Sequence, residues 1–152
     1  MKNLFTYTYQ KIIDSLTGRK KISQNGTDIL VASASETPSA AGTFTLTSFT
    51  VEPGQECVIG DVDLGASGSA TAEITVTYKD YTGTSITITR YLYLGAAGFV
   101  NEEHDFEDRP FFAFYNPVIQ NNAVTVDYNI LSAADTIQYT GNIAYVVRTP
   151  AE

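Results

Sequence analysis

Between Ala70 and Leu94 the side chains alternate with a period of two, and few patterns limit a fold as tightly. Ala72, Ile74, Val76 and Tyr78 fall on one side, with Glu73, Thr75, Thr77 and Lys79 on the other. After Asp80-Tyr81-Thr82-Gly83-Thr84 the alternation resumes, with Ile86, Ile88, Leu92 and Leu94 against Thr87, Thr89, Tyr91 and Tyr93. Period two is the pleat of a strand, whose successive side chains point to opposite faces. Gly83 supplies the positive φ that a short hairpin loop needs. The segment is therefore a β-hairpin with one oily and one wet face, and the chain must provide a second layer to cover the oil. Strict alternation also sets Arg90 on the oily face between Ile88 and Leu92. A buried unpaired guanidinium is costly, so Arg90 must pair, reach a rim or be re-aimed by a bulge. Opposite it the wet face turns from threonine to Tyr91 and Tyr93, so this end of the hairpin calls for cover on both sides, from an overlying loop or an oligomer contact.

The rest of the chain repeats the theme. Leu4–Tyr9 reads as an opening strand. Gln10–Leu16 is compatible with at most one short N-terminal helix, with Gly18 as its stop. Gly18–Thr27 is a basic, polar loop; its Asn25-Gly26-Thr27 matches a glycosylation acceptor by chance in the absence of a signal peptide. Asp28–Ala34 is a short strand, and Ser35–Gly42 a linker. In Thr43–Val51 the apolar residues change phase, Phe44 and Leu46 against Phe49 and Val51, and a bulge near Thr47-Ser48 would return all four to one face. Pro53-Gly54 is a turn. Further strands run over Glu56–Leu64, Phe111–Tyr115, Ala123–Leu131 and Thr136–Arg148. In the last of these Ile137, Tyr139, Ile143, Tyr145 and Val147 share a face, and Gly141 marks a bulge or a close contact. Strands at this spacing, with Gly/Pro turns between them, indicate a single antiparallel β-sandwich, a jelly roll among its forms. Residues 1–27 form an N-terminal segment and residues 28–152 the sandwich domain.

At 152 residues the chain suits one domain. It has no apolar run near the roughly 20 residues of a membrane helix and no secretory signal, so synthesis in a cytoplasm is expected. The net charge of −8 argues against a nucleic-acid binder. The basic residues are uneven, with Lys2, Lys11, Arg19, Lys20 and Lys21 all near the N-terminus.

Chemistry-bearing residues are sparse. Cys57, the only cysteine, sits in a strand-like run and reads as a small buried hydrophobe. Glu102, Glu103, Asp105, Glu107 and Asp108 flank the only histidine, His104. That run reads as a solvated loop, or a docking surface for a basic partner, in preference to a divalent-ion site. Across a subunit boundary it could meet Arg19-Lys20-Lys21, an association that salt would weaken. Asp61 and Asp63 lie two apart on one strand, about 6.6–7 Å from each other. Glycosidase carboxylates face each other across a cleft, so a polar strand face fits this pair better. One histidine excludes cupin-like metal sites, and no phosphate- or dinucleotide-binding fingerprint occurs. The expectation is no catalytic residue, no metal, no cofactor and no enzyme. Carbohydrate binding stays open, because Tyr7, Tyr81, Tyr91 and Tyr93 are candidates for exposed rings that stack on sugars.

A small acidic all-β chain rich in Thr, Tyr, Gly and Ala, without disulfides or a catalytic set, resembles the β-sandwich accessory proteins of tailed bacteriophages: head-decoration, head-to-tail or tail proteins. Ala72–Tyr78, Thr84–Leu94 and Ile137–Val147 carry the resemblance. It implies a non-enzymatic structural component of the virion, made in the host cytoplasm. Such a component would self-associate as a homo-oligomer and dock on other virion proteins without contacting nucleic acid or membrane, its N-terminal region serving as an attachment arm. The alternative is a lectin-like carbohydrate-binding module.

Overall fold

A computed structural model describes residues 29–106 and 109–150. The expected strand at 4–9, the short helix at 10–16, the basic cluster Arg19-Lys20-Lys21 and the boundary at residue 27 lie outside the described residues. The described residues form nine strands, in order β1 (Leu30–Glu36), β2 (Gly42–Val51), β3 (Glu56–Ala66), β4 (Ala70–Lys79), β5 (Ser85–Leu94), β6 (Gly98–Glu103), β7 (Phe112–Tyr115), β8 (Val124–Ala133) and β9 (Tyr139–Arg148). They form two antiparallel sheets packed as a sandwich. One sheet has the order β1-β9-β3-β6, with β7 also on β3, and the other has the order β2-β8-β4-β5. The expected all-β antiparallel sandwich is what the chain forms.

The Ala70–Leu94 hairpin is β4–β5, paired from Ala70↔Leu94 to Lys79↔Ser85 without a slip. Its turn is held by Asp80, whose Oδ1 accepts from the backbone N–H of Thr82 (2.8 Å) and Thr84 (3.0 Å) and from the Thr82 hydroxyl. The bond from the Thr82 side chain, followed by those from the backbone, lowers the Asp80 pKa. Gly83 takes φ +84°, where a side chain would be strained. On the outer face Thr75 bonds Thr89 at 3.1 Å and Thr77 bonds Thr87 at 2.8 Å, the cross-strand pairing that threonine favours.

Of the register slips, two keep the apolar residues of β2 and β3 pointing inward. In β2 the register slips between Thr45 and Thr47, so Leu46 is the extra residue. The bulge thus falls just before the expected Thr47-Ser48, and it does bring Phe44, Leu46, Phe49 and Val51 to the core. In β3 the slip falls between Ile59 and Asp61, at Gly60. It moves the inward phase from Cys57 and Ile59 to Val62 and Leu64, all of them buried.

Gly60 also marks an interruption in the neighbouring edge. β6 pairs with β3 from Asp61 to Ala66, and β7 pairs with it from Glu56 to Ile59. Where they meet, His104 N–H donates to Gly60 O (3.0 Å) and Phe111 N–H donates to Ile59 O (2.7 Å). Two short strands thus act as one edge strand, with an acidic excursion between them. Asn101–Glu103, expected in a loop, belong to β6, a correction with a plain cause: charged residues on an edge strand discourage pairing with another chain. β8 likewise runs on through Ser132 and Ala133, in place of the expected connection, and β9 starts later than expected, at Tyr139.

Aromatic pairs bridge the sheets. Phe49 stacks on Tyr145 at 3.6 Å between centroids, Phe44 meets Tyr139 edge-on at 5.8 Å, and Tyr78 stacks on Phe114 at 5.2 Å. Tyr128 crosses the whole core from β8, and its hydroxyl donates to Asp63 O at 2.6 Å. Gly141 on β9 makes room for it, because a Cβ there would lie 2.6 Å from Tyr128 Cζ and 2.9 Å from Leu46 Cδ2. Of the bulge or close contact expected at Gly141, it is the close contact that forms. Gly141→Ala should destabilise the protein by about 1–3 kcal/mol through overpacking. Gly95→Ala, whose Cβ would meet nothing within 4 Å, should stay within about 0.5 kcal/mol. Urea unfolding of the two variants checks this, and equal midpoints would contradict the packing described.

Candidate functional site: an aromatic cleft at one end of the sandwich

Three loops and residues 149–150 meet at one pole of the sandwich: the loops are the β2–β3 turn, the β4–β5 turn and the β7–β8 loop. Asn116 ties them together. Its backbone O accepts from Gly54 N–H (2.7 Å), and its N–H donates to Gln55 O (2.9 Å). Its Nδ2 donates to Val51 O (3.0 Å) and to Asn122 O (2.8 Å). Fully buried, Asn116 closes off the end of the core. Gln120 Nε2 then donates to Asp80 O at 3.1 Å, fastening the β7–β8 loop to the hairpin turn.

On this frame lies an open cleft of about 510 Å³, lined by Gly54, Glu56, Tyr81, Tyr115, Val118, Thr149 and Pro150. The Tyr81 and Tyr115 rings are 6.0 Å apart and tilted by 32°. Tyr81, on the tip of the hairpin turn, is 73% exposed. Glu56 is held by Arg148, whose Nε donates to its Oε2 at 3.3 Å across the β3–β9 pair. The lining joins aromatic faces to a carboxylate, two phenols and a threonine hydroxyl, a mixture suited to a ligand with both apolar and hydroxyl surfaces. A smaller cavity of about 180 Å³ adjoins Asn116, Gln120 and Asn122.

The residues singled out by sequence are scattered. Tyr81, Tyr91 and Tyr93 are all exposed, whereas Tyr7 lies outside the described residues. Tyr91 and Tyr93 stack on each other at 6.3 Å on the outer face of β5, away from the cleft. The sequence calls for cover on that face, and the described residues leave Tyr93 67% exposed. Arg90 solves its problem by reaching the rim, where Nε donates to Phe111 O at 3.4 Å and so joins the edges of the two sheets. Asp61 and Asp63 occupy the outer face of β3. Asp61 Oδ1 accepts from His104 N–H (3.3 Å) and Asp63 Oδ1 from Asn142 Nδ2 (2.8 Å), so each serves a polar strand face. Glu102 pairs with His104 Nε2 at 3.3 Å. No three His, Cys, Asp or Glu side chains gather as metal ligands among the described residues, with Glu107 and Asp108 outside them. Sequence reasoning missed Glu56, Tyr115 and Thr149. Tyr115 and the turn residues Asn116-Pro117 were visible, but only the topology brings that loop beside the Pro53-Gly54 turn.

No protein family and no curated protein matches the chain. Among solved structures it is similar to the VP2 subviral particle of infectious bursal disease virus, with 14% identity over 79% of this chain and 32% of that one and a TM-score of 0.41. The enzymatically active domain of tailspike protein 4 of bacteriophage CBA120 shows 12% identity over 77% of this chain and 19% of that one, with a TM-score of 0.31. The C-terminal family 22 carbohydrate-binding module of Clostridium thermocellum Xyn10B shows 15% identity over 79% of this chain and 88% of that one, with a TM-score of 0.35. This chain spans about a third of the VP2 chains it matches. The class that the fold defines is a two-sheet antiparallel β-sandwich, and these likenesses assign it no ligand or partner.

Two titrations bear on the core. Burial, then the charge of Glu56, pushes the Cys57 thiol from 9.0 up to about 12, and burial raises the Tyr128 phenol in the same direction. Both pKa values are higher folded than unfolded. Their neutral forms therefore support folding fully below the unfolded pKa, and that support is lost as pH rises. Stability should fall above about pH 9, by up to about 1.4 kcal/mol per pH unit for each group. Melting temperatures from pH 8 to 11 check this, and Cys57→Ala should flatten the first part of the slope. Asn116→Asp, which turns a double donor towards two carbonyls, should cost about 3 kcal/mol in urea unfolding; an unchanged midpoint would remove Asn116 as the fastener of this pole.

Proposed function

We propose that the protein is a non-enzymatic structural component of a bacteriophage particle, acting by self-association and by docking on other virion proteins. The observation that carries this reading is the stacked Tyr91–Tyr93 pair, exposed on β5, the edge strand of its sheet among the described residues. Exposed aromatics beside an open sheet edge favour contact with another protein surface. The connectivity supports the same reading. The partners nest, with β4–β5 innermost, β3 against β6 and β7 around it, then β2–β8 and finally β1–β9. Nesting of this kind is what rolling up one long hairpin into a jelly roll would give, and that architecture serves in viral capsids and in lectins. The outer face of β3 and β6 adds Asp61, Asp63 and Glu103, an acidic strip available to a basic partner. The lectin-like alternative has its own observation, the cleft at Tyr81.

Light scattering on the purified full chain should give trimers or larger rings. A Tyr91→Ser/Tyr93→Ser variant should shift the mass toward the monomer while its circular dichroism spectrum stays that of the folded sandwich. A wild-type monomer at every concentration would overturn the assembly reading.

A further inference from the structure

We propose that the cleft between Tyr81 and Tyr115 binds a neutral saccharide, one pyranose ring seated against the two tyrosines with its hydroxyls toward Glu56 and Thr149. This site and ligand class rest on the lectin-like alternative and make it specific.

The geometry favours a ring-sized ligand that is apolar on its faces and polar at its edges. Tyr81 and Tyr115 stand 6.0 Å apart at 32°, two sides of a shallow wedge rather than one flat platform. The C–H face of a sugar packs on an aromatic ring as other apolar surfaces do, while its equatorial hydroxyls stay in the ring plane for hydrogen bonding. Glu56 is fixed for that role. Its ion pair with Arg148 engages Oε2, holding the carboxylate at the cleft wall. A fixed carboxylate is a strong acceptor for a hydroxyl.

Charge decides between neutral and anionic sugars. Arg148, beside the cleft, is already paired with Glu56, and among the described residues the lining itself holds no Lys or Arg. On a chain of net charge −8 the cleft therefore favours neutral sugars over uronic acids and phosphorylated sugars. The frame is built for constancy, since Asn116 and Gln120 tie the three loops to one another through backbone groups. A preformed site spares the ligand the cost of ordering loops.

An array of neutral hexose, N-acetylhexosamine and uronic-acid oligosaccharides, probed with the full-length protein, tests the proposal. Binding to neutral members is expected, weakened about tenfold or more by Tyr81→Ala and by Glu56→Gln and unchanged by Gly95→Ala, at a position where an added Cβ meets nothing. Tyr81 is exposed on a turn, so its truncation leaves the fold intact, and melting curves of all three variants confirm that. Binding that survives both Tyr81→Ala and Glu56→Gln would overturn this site and keep the carbohydrate reading. Binding to acidic members alone would overturn the ligand class. No binding to any member would overturn both site and reading.

Discussion

The sandwich depends on how Tyr128 is buried. A tyrosine contributes a large apolar ring to the core but carries a hydroxyl that must find a partner there. Tyr128 leaves one sheet at β8, crosses the core and donates to the backbone of Asp63 on the other. That bond spans the two layers, so their spacing and lateral registration are fixed together. Gly141 is the counterpart, a strand position without a side chain where the ring arrives. The Asp63 carboxylate lies on the opposite face of β3 and takes its own bond from Asn142. One residue therefore ties the core through its carbonyl and the outer face through its side chain.

The two bulges arise from the same demand. β2 and β3 are ten and eleven residues long and must stay in phase with a core anchored near their middles. Strict alternation would have sent Phe49 and Val51, or Cys57 and Ile59, to the wrong face. An extra residue at Leu46 and another at Gly60 reverse the phase. The second bulge also sets where the neighbouring edge can break: β6 ends and β7 begins opposite Gly60, and the acidic excursion leaves from there.

These relations explain which elements are legible in the sequence. Period-two patterns reveal the hairpin, the faces of β8 and β9 and the need for a bulge in β2, because each is a local consequence of the pleat. Gly141 is legible as a special position, a bulge or a close contact, because a glycine amid large inward residues leaves a gap that something must use. β6 is not legible, since Asn101, Glu102 and Glu103 look like a loop until the partner strand is known. The cleft is invisible for a related reason. Tyr81 and Tyr115 are 34 positions apart, and only nested pairing brings the hairpin turn and the β7–β8 loop to one pole.

The exposed aromatics separate into two places with different chemistry. Tyr91 and Tyr93 are neighbours on one strand, coplanar within 24°, on a regular sheet beside Thr71 and Glu73. A flat surface of that kind suits another flat surface. Tyr81 comes from the hairpin turn and Tyr115 from the end of β7; their rings tilt by 32° and share their cleft with a clamped carboxylate. A concave surface of that kind suits a small ring. Because the hairpin carries Tyr81 at its turn and Tyr91 and Tyr93 near its far end, its ten-pair ladder keeps the two places apart. At about 3.3 Å per residue, a strand of that length places them tens of ångströms from each other. A protein held by its flat edge would therefore still present its cleft to solvent.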